Sequence, residues 1–290
     1  MTDIRAYLGR VAHATDAVLD KLLLGRTVYP PSIHAVMRYS TFAGGKRVRP
    51  ALIMAAYEAC GGKFGNKKVL LACASIEMLH TFSLMHDDLP CMDDDDLRRG
   101  KPTAHRAFTE ALAVLGGDAL CIFAFECLAR TGRIDIVEDI ARSLGTRGMI
   151  GGQVVDIESE GKKVGLKTVE YIHTNKTAAL ITASVRTGAL LANAPAGTLG
   201  RLTRFGRHIG LAFQIVDDIL DEEGTTAQLG KDAGSDRASG KATFPSVAGM
   251  AASKHRASAL IRQSLNDIAF LGTKGTMLAA IAEFIGKRAN

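Results

Sequence analysis

Asn66-Lys67-Lys68-Val69-Leu70-Leu71-Ala72-Cys73-Ala74-Ser75-Ile76-Glu77-Met78-Leu79-His80-Thr81-Phe82-Ser83-Leu84-Met85-His86-Asp87-Asp88 decides the fold of this chain. Its apolar residues fall on every side of a 3.6-residue repeat, which predicts a helix buried all round at the centre of a helical bundle. The flanking sequence repeats the helical message. Residues 2–24 place Ile4, Leu8, Val11, Val18 and Leu22 on one amphipathic stripe. Pro30-Pro31 breaks the chain, and Ser32 is the expected N-cap of the next helix. Gly44-Gly45 closes that helix, and Pro50 sits in the first turn of another that ends near Gly61-Gly62. Further helices are expected at about 107–130, 134–145, 146–160, 168–192, 198–222, 243–271 and 273–288, punctuated by Gly and Pro. No run alternates like a strand, no linker divides the chain, and no short repeat recurs. The expectation is one all-α domain over residues 1–290.

Composition agrees. The chain has 290 residues, 47% of them hydrophobic, but only 6% aromatic and none Trp. Ala, Leu, Ile and Val must then fill the core, which favours helices over a sandwich or barrel. The net charge of +6 is spread along the chain, without a basic run interleaved with aromatics, so no nucleic-acid partner is expected. A basic surface suits an anionic diphosphate. Five cysteines without a C-x-x-C pair read as reduced, mostly buried thiols. The N-terminus lacks a basic-then-apolar signal pattern, and no unbroken apolar run reaches the roughly 18 residues that cross a bilayer. A soluble, cytoplasmic protein with no transmembrane segment is expected.

Two acidic clusters carry the chemistry. The first is Asp87, Asp88 and Asp93 through Asp96, followed by Arg98 and Arg99. The second is Asp217, Asp218 and Asp221, inside the apolar stretch 211–220. Carboxylates this dense repel one another and are costly to bury unpaired. Hard oxygen ligands without a Cys or His cage point to Mg²⁺, which usually takes one or two carboxylates plus substrate phosphates. A solvated acidic loop would explain either cluster alone, but not two clusters each attached to an apolar helix. On one helix, Asp217, Asp218 and Asp221 share a face. Asp87 and Asp93 do not, unless Pro90 interrupts the helix and lets the chain curl back. Spacing leaves open whether Asp93 or Asp94 completes the first site. His86-Asp87-Asp88 also resembles the His-Asp pair of metal phosphohydrolases, but the remaining histidines are scattered.

Residues 80–105 closely resemble the first aspartate-rich motif of trans-isoprenyl diphosphate synthases. Gly44-Gly45-Lys46-Arg47-Val48-Arg49-Pro50 resembles their isopentenyl diphosphate anchor. Gly151-Gly152-Gln153, Lys176-Thr177, Gln214 through Asp221, and Gly230-Lys231-Asp232 through Pro245 match in order. The resemblance covers about residues 30–250. It implies an all-α, isoprenoid-synthase-type bundle around a deep central cavity, a homodimer, and three Mg²⁺ ions. It further implies that Asp87, Asp93 and Asp217 ligate Mg²⁺ while Asp88, Asp218 and Asp221 support the site. Arg98, Lys176 and Lys241, with Lys231 nearby, would clamp an allylic diphosphate. Lys46, Arg49, His80 and Arg99 would hold isopentenyl diphosphate, and Thr177 and Gln214 would face the allylic cation.

The prenyl tail is expected to run down the helix carrying Asp87. Ser83 and Phe82, four and five residues earlier, lie about 6–7.5 Å deeper at about 1.5 Å per residue. In the resembled family an aromatic at Phe82's position accompanies the fifteen-carbon farnesyl product, and smaller residues accompany geranylgeranyl. Farnesyl diphosphate is the expected product and geranylgeranyl diphosphate the alternative. A terpene cyclase is disfavoured by Asp217-Asp218-Ile219-Leu220-Asp221 and by the basic anchor. A non-catalytic subunit of a heteromeric synthase is disfavoured because both aspartate clusters are intact.

Overall fold

Helices make up nearly all regular structure in the computed structural model, which describes residues 3–223 and 240–287. In chain order they are α1 (Ile4–Leu22), α2 (Pro31–Thr41), α3 (Val48–Ala59), α4 (Lys67–Asp87), α5 (Ala104–Ala107), α6 (Glu110–Ala129) and α7 (Ile134–Leu144). Then come α8 (Met149–Ser159), α9 (Leu166–Ile172), α10 (Ala179–Leu191), α11 (Ala196–Glu223), α12 (Phe244–Ala248), α13 (Met250–Ile268) and α14 (Thr276–Gly286). A π-helical turn, His173–Ala178, runs straight from α9 into α10. A 3-10 segment, Ala269–Gly275, links α13 to α14. The strand pair among the described residues is an antiparallel ribbon of β1 (Leu97–Arg98) and β2 (Lys101–Pro102). Two residues are too few to show alternation, so sequence periodicity passed over it.

The fold divides into two compact units. One holds Arg5–Met54 and Gly65–Ile134; the other holds residues 3–4, Ala55–Phe64 and the described residues from Asp135 onward.

In the first unit α4 is the core element. The Asn66 side chain caps it by accepting the Lys68 and Val69 N–H groups at 2.9 and 3.4 Å. Every residue from Ala72 through Leu79 is buried, with Phe82 and Met85 beyond, as a helix apolar all round requires. It packs against α6 and α2. Ser32 does not cap α2: the helix starts at Pro31, whose fixed φ suits the first turn.

In the second unit the long helix α11 packs against α10, α13 and the π-turn. Ala212, Ile215, Val216 and Ile219 meet Val169, Phe244, Ala257 and Leu260 in its core. The single helix expected at about 243–271 is instead two, because Gly249 takes φ 84° between α12 and α13. Thr243 and Ser246 cap α12 reciprocally.

One expectation is corrected. By length and hydropathy, Lys67–Asp87, Glu110–Ala129 and the stretch Met250–Gly286 could each cross a bilayer. A search for unbroken apolar runs misses stretches diluted by one or two charges. In α4 the apolar window is 67% buried within the protein itself. All five cysteines are free thiols, but only Cys73 and Cys127 are fully buried, and Cys91 is exposed.

Candidate active site

The basic anchor begins as a backbone feature. Gly44 and Gly45 take φ of 106° and 124°, which side chains rarely adopt. A Cβ on Gly45 would lie 2.8 Å from the Arg99 guanidinium carbon, so a larger residue there would make that side chain shift where it crosses the loop. Arg99 donates to the Gly44 carbonyl there. Arg47 follows with φ 49°, and its side chain turns inward. It donates to Glu77 at 2.7 Å, Asp16 at 2.9 Å and the Thr41 carbonyl at 2.7 Å. Burial works against that guanidinium, but Glu77 and Asp16 hold its pKa above the ordinary value. Arg47 and Glu77 are each 2% exposed, and breaking such a buried pair costs roughly 3–5 kcal/mol. Arg47 is thus a strut that pins the anchor loop to α4, while Lys46 stands exposed.

His80, on α4, reports the field of this loop. Burial and then Arg49, Arg99, Arg98 and Arg47 push its pKa well below the ordinary value, so the imidazole is neutral at physiological pH. Four guanidinium groups, two of them also paired with carboxylates, thus act on one half-buried neutral ring.

The first aspartate motif folds back as the Pro90 spacing predicts. Helix α4 ends at Asp87, and the Asp93 N–H donates to the Asp87 carbonyl at 2.9 Å. That bond returns Asp93 to the end of the helix. Asp94 instead takes φ 50° and points to solvent. Asp88 is 3% exposed and accepts from Arg98 Nε at 2.9 Å, and Arg98 also bonds Asp95 at 2.6 Å. Burial pushes the Asp88 carboxyl up, with Arg98 opposing. Arg98 is therefore tied to the aspartates of its own motif.

In the second unit, α8 delivers Gly152 to the π-turn. A Cβ on Gly152 would lie 2.2 Å from the Lys176 backbone nitrogen, so only glycine permits this approach. Lys176 Nζ then reaches Asp156 Oδ2, one helical turn along α8, at 2.6 Å. Thr177 Oγ1 donates to Gln214 Oε1 at 2.6 Å, and Gln214 Nε2 donates to Asp218 Oδ1 at 2.9 Å. Asp218 Oδ2 accepts the Phe244 N–H at 2.8 Å and lies 3.2 Å from His173 Nε2. Asp217 is half-buried and Asp221 buried, four residues apart on α11. Lys241 is half-buried just before α12, and Lys231 lies outside the described residues.

Each unit thus gathers its own share of the expected residues. Lys46, Arg49, His80, Arg98, Arg99, Asp87, Asp88 and Asp93 belong to the first, and Lys176, Thr177, Gln214, Asp217, Asp218, Asp221 and Lys241 to the second. Sequence reasoning missed Asp156, His173 and the Arg47–Glu77 strut. Asp156 was legible as the partner of Lys176 only once α8 and the π-turn were known to touch. His173 stood three residues before Lys176 in plain view, but a single His carries no signal of its own.

The polyprenyl synthetase family model matches residues 30–270. This chain belongs to the polyprenyl synthetase family. It is 44% identical to a chloroplastic geranylgeranyl pyrophosphate synthase of Catharanthus roseus, over 99% of this chain and 82% of that protein. Among solved structures, an FPP/GFPP synthase from Zymomonas mobilis superposes with a TM-score of 0.87 at 34% identity, covering 98% of this chain and 99% of that one. A geranyltransferase from Helicobacter pylori, complexed with magnesium and isoprenyl diphosphate, gives a TM-score of 0.84 at 31% identity, covering 98% and 97%.

A polyprenyl synthetase is a prenyltransferase, and its residues fit magnesium. The Asp93–Asp87 backbone bond sets two carboxylate residues together at the end of α4, and the donors are all oxygen. Among the described residues no three His, Cys, Asp or Glu side chains form a ready-made cage. Mg²⁺ usually takes one or two carboxylates and completes its shell with waters and substrate phosphates.

Proposed function

We propose that this chain condenses isopentenyl diphosphate with allylic diphosphates and releases geranylgeranyl diphosphate. The product rests on one observation, the 44% identity over 99% of the chain to a protein named for that product. Lys46, Arg49, His80 and Arg99 hold isopentenyl diphosphate. Arg suits this task because its planar fork binds phosphate oxygens in pairs. Arg98, Lys176 and Lys241 hold the allylic diphosphate, with Lys231 nearby. Asp87, Asp93 and Asp217 are the magnesium ligands, and three ions are proposed. When bound, magnesium offsets the negative charge that develops on departing pyrophosphate. Asp88 holds Arg98, while Asp218 orders Gln214 and Thr177. The neutral oxygens of Thr177 and Gln214 border the allylic cation without supplying an anion that would capture it. A homodimer is part of the proposal: Val114, Leu115 and Ile122 stand exposed on α6, and a second copy would cover them.

A second reading, farnesyl diphosphate, is supported by Phe82. This side chain is buried five residues before Asp87, with its ring edge-on to His86 at 5.6 Å. Incubation with isopentenyl and dimethylallyl diphosphates, followed by chromatography of the dephosphorylated products, separates the two. Twenty-carbon alcohol is expected. A predominantly fifteen-carbon product would overturn the main reading and support Phe82 as the floor, and Phe82→Ala should then lengthen the product.

A further inference from the structure

His173 lies outside both aspartate motifs, yet it sits where the π-turn, α11 and α12 meet. We infer that His173 is a positioning residue for prenyl transfer, locking the π-turn that carries Lys176 and Thr177 to the helix that carries Asp217 and Asp221. The inference rests on the prenyltransferase reading.

The ring is 3% exposed and occupies the first position of the π-turn. Its Nε2 lies 3.2 Å from Asp218 Oδ2 on α11. Its face stacks on Phe244, the first residue of α12, with centroids 6.2 Å apart and planes 29° apart. One side chain therefore touches three elements. Nδ1 is buried without a hydrogen-bond partner among the described residues, so the polar contact of the ring is the one that Nε2 makes with Asp218.

Asp218 gathers the remaining threads: Gln214 Nε2 on one oxygen, the Phe244 N–H on the other. With both oxygens occupied by protein donors, this carboxylate serves as a bracket. Besides His173, the Thr177–Gln214 bridge ties the π-turn to that bracket in two steps, through an amide that can rotate. The His173 ring is the direct and stiffer link. Insertion of one residue makes a π-turn irregular, and such turns recur where a helix must aim side chains at a site.

The test uses the purified full chain with Mg²⁺, labelled isopentenyl diphosphate and geranyl diphosphate. His173→Gln places an amide nitrogen near the position of Nε2. His173→Asn carries the same group but is too short, and His173→Phe keeps the stacking face without a donor. His173→Asn and His173→Phe should lower kcat by roughly tenfold to a hundredfold, the loss expected on removing a bond to a buried charge. KM for isopentenyl diphosphate should move less than about threefold, because the basic loop around His80 contains none of these residues. His173→Gln should recover most of kcat. Gln and Asn differ by one methylene, so thermal melting of both variants reads the folding cost separately from kcat. Equal rates for those two, at any level, would overturn the inference, as would wild-type kcat in His173→Phe. Failure of the wild-type chain to form any condensation product would instead sink the reading beneath it.

Discussion

His80 and Arg47 show how far a single residue's role can diverge from its motif. Arg47 lies in the stretch that resembles the diphosphate anchor, yet it is consumed by Glu77 and Asp16, while His80 opens the stretch that resembles the first aspartate-rich motif and is acted on by burial and four guanidinium groups. The second arrangement has a measurable consequence. An unfolded chain protonates His80 near pH 6.5, whereas the folded chain resists protonation to well below that. Between those values the unfolded state binds more protons, so this residue's contribution makes stability rise with pH up to about 6.5 and fall as the medium is acidified below it. His80→Gln should flatten that fall by at most about 1.4 kcal/mol per pH unit. Urea midpoints of the ligand-free protein between pH 5 and 6.5 would read it. Parallel curves for wild type and variant would show that the field at His80 is weaker than its surroundings indicate.

At the scale of elements, helix order was legible because period 3.6 survives any tertiary arrangement, but α5 went unread and the single helices expected at about 168–192 and 243–271 are each divided. Helix α4 was read to within a residue of its observed start, and the return of Asp93 through Pro90 followed from helical geometry alone. The π-turn was invisible, because the chain runs through it from α9 into α10 without a break and a single shift in phase is too short a signal to read. So was the reason for Gly152, which depends on a helix passing within backbone contact of Lys176. Gly152→Ala should force α8 and the π-turn apart, destabilising the protein by about 1–3 kcal/mol. It should also lower kcat, since Lys176 and Thr177 move with the backbone. Gly197→Ala is the control. No atom stands within 4 Å of a Cβ there, in the first turn of α11, so stability should hold or rise. Thermal melting and condensation rates for both variants decide the matter, and equal losses would refute the close-packing account.

For the molecule as a whole, the acidic and basic motifs together revealed the reaction class, because their residues and order resemble those of trans-isoprenyl diphosphate synthases. The product did not follow so readily. Phe82 suggested a short cavity, but length is set by surfaces that several helices contribute, and identity to a geranylgeranyl pyrophosphate synthase now weighs the other way. The thiols supply a means of watching the site work. Burial pushes Cys127 up to about 11 and raises Cys60, Cys73 and Cys121 as well. Thiolate is the nucleophile, so these four react slowly with electrophiles. Cys91 is exposed, directly after Pro90 and two residues before Asp93. One equivalent of a maleimide dye should therefore mark Cys91 first, as peptide mapping would show, and adding Mg²⁺ with pyrophosphate should slow the labelling. Labelling spread over several cysteines, or unaffected by those additions, would contradict this. The loop that folds the first aspartates together thus carries a built-in optical reporter, available in the natural sequence without a single substitution.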